Sequence, residues 1–247
     1  MFKKLFFLIV IFGIICICYE YNNSIADDNW SISGGMPEEI GEAEEIELGK
    51  KVDEFISHQF YIDKDPELNK VINDIAQKIF TVSERKTLPF RCNILQSHSV
   101  NAFSSPGGHI YITYGLLEFT KTKDEVAGII GHEVAHASLM HVSKLYHEIN
   151  ELVSHQEKKA DSVIGFLLLN SHLEEFEHEA DIAGALYAYK AGFDPNGLPD
   201  FLERHLIFTA HNGPINFRSF DVYKSIDARI HHLREYVSSL EDHQKDR

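Results

Sequence analysis

Two histidines four positions apart, with a glutamate directly after the first, form the segment with the clearest chemistry: His132-Glu133-Val134-Ala135-His136. In a helix, residues i and i+4 lie one turn apart on one face, so both imidazoles can reach the same cation. Glu133 projects beside them and can serve as a general acid and base. The pattern therefore predicts a hydrolytic metal centre.

The flanking residues predict the helix that this pair requires. Thr122 stands three residues before Glu125, which is the spacing of a capping box at a helix start. Such a helix would bury two histidines and a glutamate in an apolar frame, at a cost of kilocalories unless a metal ion satisfied them. The apolar residues follow at helical spacing: Val126, Ile129, Ile130, Val134 and Ala137.

The helix alone supplies too few ligands for catalytic zinc, which normally takes three from the protein and leaves a fourth position for water. Two glutamates compete for the third position: Glu157 lies 21 residues after His136, and Glu177 lies 41 residues after it. Each precedes an aspartate by four residues, Asp161 or Asp181, and that aspartate could hydrogen-bond a ligand imidazole.

The neighbouring residues favour Glu177 as the third ligand and Asp181 as its companion. Glutamine, lysine and serine side chains surround Glu157, as on an exposed helix face. The helix of Glu177 has small residues, including Gly184, that allow a close approach to another helix. This helix is specified by a capping-box pair and an apolar stripe: Ser171 and Glu174, then Leu173, Phe176, Ala180, Ala183 and Tyr187.

Length, composition and charge describe a single acidic globular domain. The chain has 247 residues, of which 44% are hydrophobic, and this is enough to bury a sizeable core. Its formal net charge of −15 argues against binding to nucleic acid, because phosphate backbones repel an acidic protein.

The N-terminal residues predict export. Lys3 and Lys4 precede an apolar run of about fourteen residues, which is typical of an export signal or membrane anchor over residues 1–26. Residues 27–37 form a polar linker, and residues 38–247 form the predicted catalytic domain. Cys92 is then the single cysteine of that domain, and its strand-like surroundings favour packing over a nucleophilic role.

The periodicity along the chain predicts a mainly α, α+β domain. Residues 38–80 are helical in pattern, with a break at Pro66, and residues beyond Thr122 are helical again, with breaks at 192–195 and 212–219. Strands are expected near 90–95, 100–103 and 109–113. They form a small sheet packed on the helix of the two histidines.

Several separately spaced motifs occur in order along the chain: Glu45-Ile46-Glu47-Leu48-Gly49, Asn101-Ala102-Phe103, Pro106-Gly107-Gly108, Tyr111-Ile112-Thr113, Gly115-Leu116-Leu117, Gly131–His136, His141, Glu177–Asp181, Ala191–Pro195 and Arg229-Ile230. Together they resemble one family of enzymes, the zinc metallopeptidases related to the CAAX prenyl protease, and within it a small exported bacterial branch.

The resemblance implies a zincin-type fold and a specific set of roles. His132, His136 and Glu177 would bind one Zn²⁺ per chain, and Glu133 would be the catalytic acid and base. The substrates would be polypeptides, in particular unfolded or misassembled proteins of the cell envelope. The protein would be exported, with membrane association possible.

The chain departs from this branch in three respects. The interval between His136 and Glu177 is shorter than in the branch. Aligned on Arg229, the chain has Tyr223 where the branch has a histidine, and a phenol there could donate a hydrogen bond to an oxyanion; His211 is a weaker substitute. The chain also leaves no room for the tetratricopeptide repeats that some relatives append.

Further expectations concern the substrate and the competing functions. An extended peptide is predicted to pair with an edge strand, with 109–113 as the expected strand. His141 is expected to pack or hydrogen-bond rather than bind metal, and the apolar run 163–169 to lie in the core. Two alternatives stay open: a proteolytically weak chaperone or assembly factor, and a thermolysin-like peptidase with Glu157 as the third ligand.

Overall fold

The computed structural model describes residues 41–141, 143–144, 174–212 and 220–245, with only the backbone described at some helix ends. They belong to one compact unit, Glu38–Arg247. The predicted signal (1–26), the linker (27–37), Glu157, the run 163–169 and Ser171 lie outside the described residues. The helices are α1 (Glu42–Gln59), α2 (Pro66–Val82), α3 (Tyr114–Phe119), α4 (Lys123–Ser138), α5 (Glu174–Lys190), α6 (Gly197–Asn212) and α7 (Phe220–Lys245).

Three strands complete the fold: β1 (Arg91–Leu95), β2 (Ala102–Ser105) and β3 (His109–Thr113). The prediction of a mainly α domain with a small sheet is confirmed. The strands lie within two residues of their predicted bounds. Within the described residues, no helix combines the length and apolar character that crossing a membrane requires.

The helix starts follow from their capping residues. The side chain of Asp65 accepts the backbone N–H groups of Glu67 and Leu68, and proline occupies the first position of α2, which explains the break between α1 and α2. At the start of α4, Thr122 accepts from the N–H of Glu125, as predicted. The Glu125 carboxylate accepts from the N–H of Lys121 rather than from that of Thr122.

The strand order corrects the expected substrate strand. The sheet has the order β1-β3-β2, with β3 parallel to β1 and antiparallel to β2, so the prediction that 109–113 is an edge strand is wrong. The hairpin of β2 and β3 pairs with β1 through its second strand, and side-chain alternation does not encode that choice. Near Leu95 the outer edge of β1 is covered, because Ile62 bridges to it and the N–H of Asp63 donates to Ile94 O.

Within the described ranges β3 is the single strand partner of β2, so the outer edge of β2 has no strand paired to it there. The N–H of Thr113 donates to Asn101 O, so these two residues form a hydrogen-bonded pair of the antiparallel ladder. Pairs alternate along such a ladder. The backbone N–H and C=O groups of Ala102 and Ser104 therefore point away from β3.

The histidine helix α4 lies at the centre of the core. Every residue from Glu125 to Ser138 is buried, so α4 is enclosed on all sides rather than on the one apolar face that the spacing predicts. The main core joins α2, α4, α5, α6, α7 and one face of the sheet. Its fully buried members include Ile79, Ile94, Ile112, Ile130, Tyr187 and Leu233.

Arg85 joins the start of α1 to the end of α4. Its guanidinium lies 2.7 Å from the buried carboxylate of Glu45 and donates to Ala137 O at the C-terminus of α4. Glu45 also accepts a long hydrogen bond, 3.4 Å, from the N–H of Gly107 in the turn before β3. A β-carbon on Gly49 would lie 2.1 Å from Pro106 O, so the motif that ends at Gly49 packs directly on the motif Pro106-Gly107-Gly108.

Helices α4 and α5 approach each other through two glycines. A β-carbon on Gly131 would lie 2.6 Å from Gly184 O, and one on Gly184 would lie 2.6 Å from His132 N. Both neighbours are backbone atoms, which cannot move aside as a side chain can. The close approach predicted from the small residues of α5 is confirmed.

We expect Gly184→Ala to destabilise the protein by about 1–3 kcal/mol and to weaken metal binding, because the added methyl group forces α5 away from α4. Denaturant unfolding and a chelator competition assay would measure the two effects. Gly41→Ala is the control, since a β-carbon there meets nothing within 4 Å. Equal effects of the two substitutions would contradict the close helix contact.

Candidate metal centre

Helices α4 and α5 bring two imidazoles and one carboxylate together. His132, His136 and Glu177 are all buried, and each offers one ligand atom within 4.8 Å of the others. The two Nε2 atoms are 3.1 Å apart. Glu177 Oε1 lies 3.3 Å from His136 Nε2, and its Oε2 lies 3.6 Å from His132 Nε2. Within the described ranges this is the one such group that could hold a metal ion.

The outer ring nitrogens determine what the inner ones can do. His132 Nδ1 lies 2.9 Å from Asp181 Oδ1, and His136 Nδ1 lies 2.9 Å from His141 Nδ1. When both Nδ1 atoms carry their hydrogens toward these partners, two Nε2 lone pairs and a carboxylate face one another. Such an arrangement is repulsive without a cation at its centre, so the donor set fits a metal ion.

Arg229 on α7 links Glu177 and Asp181 of α5, and this role was missed from the sequence. Its Nη1 lies 2.8 Å from Glu177 Oε2, and its Nε and Nη2 donate to the two oxygens of Asp181 at 2.8 and 2.9 Å. Burial alone would raise the pKa of Asp181, but its hydrogen bonds with His132 and Arg229 lower it. Asp181 therefore stays ionised beside the first histidine.

The two imidazoles differ in their affinity for protons. Burial lowers the pKa of His136 to about 4, because desolvation outweighs the contact with Glu177. Burial acts on His132 as well, but its hydrogen bond with Asp181 and the charge of Glu177 outweigh it and raise the pKa of His132 to about 9. Without a metal, a proton on His132 supplies the positive charge that the carboxylates require.

Glu133 follows the first histidine in α4 and is buried with it. Cys92, on β1, is buried as well, and burial together with the charge of Glu133 raises its pKa to about 12. The thiol therefore stays protonated, in agreement with its predicted packing role.

The structure describes other predicted residues to different extents. Tyr223 lies in helix α7, six residues before Arg229, but its side chain is outside the described part, as is that of His211 at the end of α6. Glu157 is outside altogether. His141 is buried and hydrogen-bonds through both ring nitrogens, as expected for a residue that does not bind the metal.

A model of peptidase family M48 matches residues 63–237, which include the whole metal centre. Peptidases of this family depend on a metal. The family is broader than the group related to the CAAX prenyl protease that the sequence motifs resemble.

Individual relatives are distant and considerably longer. The chain is 24% identical over 167 residues to the beta-barrel assembly-enhancing protease of Yersinia pestis, covering 57% of this chain and 33% of that protein. The corresponding protein of Escherichia coli strain K12 is 24% identical over 162 residues, again with 33% covered. The mitochondrial metalloendopeptidase OMA1 of Arabidopsis thaliana is 39% identical over 113 residues, covering 42% of this chain and 23% of that protein.

We expect metal binding to release a proton near neutral pH, because only a neutral His132 can be a ligand and its pKa is about 9 in the metal-free protein. Affinity should therefore rise by about tenfold per pH unit as pH increases toward that value and then level off. Calorimetry in buffers of different ionisation enthalpy would count the proton. Asp181→Asn removes the main cause of the raised pKa, so an unchanged pH dependence in that variant would contradict this assignment.

Proposed function

Since the chain belongs to peptidase family M48, we propose that it is a zinc-dependent endopeptidase that hydrolyses peptide bonds. The observation that carries the proposal is the convergence of His132, His136 and Glu177, with the buried Glu133 directly after the first histidine. A set of two imidazoles and one carboxylate suits catalytic zinc, which uses three protein ligands and keeps one position open.

Some of the site residues position the metal ligands, and Glu133 transfers the proton. Zinc bound here would lower the pKa of a water molecule and polarise the substrate carbonyl. Glu133 would accept a proton from the attacking water and deliver it to the leaving amine. Asp181 holds the ring of His132 through Nδ1, and Arg229 holds the carboxylates of Glu177 and Asp181 in place.

Tyr223 is the proposed hydrogen-bond donor to the tetrahedral oxyanion. It precedes Arg229 by six residues on α7, and Arg229 contacts the carboxylate of Glu177, so α7 runs beside the metal centre. A phenol can donate the hydrogen bond that an oxyanion requires. Loss of one such donor commonly lowers kcat by about 10²–10³.

The substrate is proposed to lie along β2, whose outer edge has no strand paired to it in the described residues, rather than along β3. The outward N–H and C=O groups of Ala102 and Ser104 offer backbone hydrogen bonds that do not depend on substrate sequence. β2 also packs against α4, the helix that carries both histidines, and this contact supports the edge of β2 as the place for the substrate. Pairing of this kind selects extended, unfolded chains.

The proposed setting is the cell envelope, with unfolded or misassembled envelope proteins as substrates. The signal-like sequence of residues 1–26 supports export, and the distant similarity to proteases named for beta-barrel assembly supports this substrate class. The net charge of −15 disfavours nucleic acid as a partner. Membrane association through residues 1–26 belongs to the same proposal.

A second candidate is an assembly factor or chaperone with weak or absent proteolysis. Tyr223 at the position of the family histidine is the observation that favours it. The third, a thermolysin-like peptidase, would use Glu157 in place of Glu177. Single substitutions at Glu133, Glu157 and Glu177 distinguish the three candidate functions.

We expect Glu133→Gln to retain zinc but to lower kcat on denatured casein by about 10²–10⁴, because the amide cannot accept the proton of the water. Glu177→Gln should lose zinc, Tyr223→Phe should keep zinc and lower kcat, and Glu157→Gln is the control that changes neither. Metal analysis and peptide-release assays measure these effects. Bound zinc without Glu133-dependent cleavage would favour the assembly factor, and zinc loss with Glu157→Gln alone would favour the thermolysin-like site.

We expect Ser104→Pro to raise KM for unfolded polypeptides by about 3–10-fold, the value of one backbone hydrogen bond, because proline removes the outward N–H. Zinc content should not change. Ser104→Ala is the matched control, since it keeps the N–H and removes the hydroxyl. Equal KM values for the two variants, or a folded protein cut as fast as its denatured form, would contradict substrate pairing on β2.

A further inference from the structure

A line of contacts runs from the second metal-centre histidine to the protein surface through His141. His141 is fully buried, and its Nδ1 lies 2.9 Å from His136 Nδ1. Its Nε2 lies 3.0 Å from Oε2 of Glu179, a side chain that is 47% exposed and so ends the line at solvent. The ring of Phe176 stacks on His141 at 4.3 Å with an interplanar angle of 4°, which fixes the plane of the imidazole.

A backbone bend creates the first of these contacts. His141 is five residues after His136, so in a continued helix it would point about 140° away from it. Helix α4 ends at Ser138, and Met140 then takes φ 59°. Among the described residues, Met140 is the one residue other than glycine with positive φ. A bulky residue adopts this conformation only where its surroundings impose it, and such sites cluster at functional centres.

The order of donors and acceptors along the line determines the tautomer of His141 and, through it, that of His136. A carboxylate only accepts hydrogen bonds, so the Nε2–H of His141 donates to Glu179. The Nδ1 of His141 then carries a lone pair and accepts from the Nδ1–H of His136. His136 is left with its Nε2 lone pair directed at Glu177.

We propose that His141 and Glu179 are positioning residues that fix the tautomer and ring orientation of His136, so that its Nε2 is presented to the metal. The inference deepens the proposed function and rests on it for the identity of the metal. The two ligand histidines are thus supported differently: His132 contacts a carboxylate directly through Asp181, whereas His136 reaches one through a second imidazole. Both nitrogens of His141 are engaged, so it is not itself a ligand.

The test uses the full chain and four variants. His141→Leu removes the acceptor, and His141→Asn restores one, because the Asn Oδ1 occupies the place of Nδ1. Glu179→Gln removes the charge at the end of the line, and Glu175→Gln, an exposed glutamate on the same helix, is its matched control. Zinc affinity by chelator competition, imidazole ¹⁵N shifts of the metal-free protein, and separate kcat and KM values are the readouts.

We expect His141→Leu to weaken zinc binding by about 10–100-fold, with His141→Asn recovering most of that loss. Glu179→Gln should cause a smaller loss than His141→Leu, and Glu175→Gln none. The ¹⁵N shifts should report Nδ1–H on His136 in the wild type and a mixture of tautomers in His141→Leu. With zinc saturating, kcat should fall in His141→Leu while KM stays near the wild-type value.

Two results would overturn the proposal: an unprotonated Nδ1 on His136 in the wild type, or wild-type zinc affinity in His141→Leu. If His141→Leu does not fold, the wild-type shifts and the Asn and Gln variants decide the question. The ¹⁵N shifts and the zinc affinity can both be measured without proteolysis. If Glu133→Gln cleaves casein as well as the wild type, the proposed endopeptidase function fails, and the positioning of His136 is judged separately.

Discussion

The constraint on which the structure depends is that α4 carries ionisable side chains while being buried on every side. A buried polar group without a partner costs kilocalories, and several of those on this helix are met by a group from another element. Glu125 is paired with Arg204 of α6, His132 with Asp181 of α5, and the Ala137 carbonyl with Arg85. The surrounding helices are therefore placed where their side chains can pair with the buried polar groups of α4.

The same constraint explains why the metal centre is compact. Glu177 reaches the histidines because α5 packs on α4 through Gly131 and Gly184, with no side chain between the backbones. Arg229 then balances two carboxylates that would otherwise repel each other inside the protein. The geometry of the metal ligands therefore depends both on the close packing of α4 and α5 and on the charge balance that Arg229 provides.

Much of the fold and of the site was predictable because it is encoded locally. The Thr122 cap, the break at Pro66 and the small residues of α5 are local signals, and they predicted helices that the structure shows and the close approach of α5 to α4. Strand order was not predictable, since side-chain alternation in 109–113 is the same for a central strand and an edge strand. Nor was the bend at Met140, because glycine would have signalled positive φ and methionine does not. Arg229 was visible as a motif residue, but its two acidic partners are 48 or more residues away in sequence.

The open edge of β2 has a consequence for how copies of this protein behave toward one another. An edge that can pair with a substrate chain offers the same unpaired groups to any exposed strand, including that of a second copy. The strand is only four residues long, which limits the number of hydrogen bonds that such pairing could form. A net charge of −15 also keeps copies apart at low ionic strength. The negative charge thus opposes association between copies. Because salt screens this repulsion, the tendency of copies to associate increases with ionic strength.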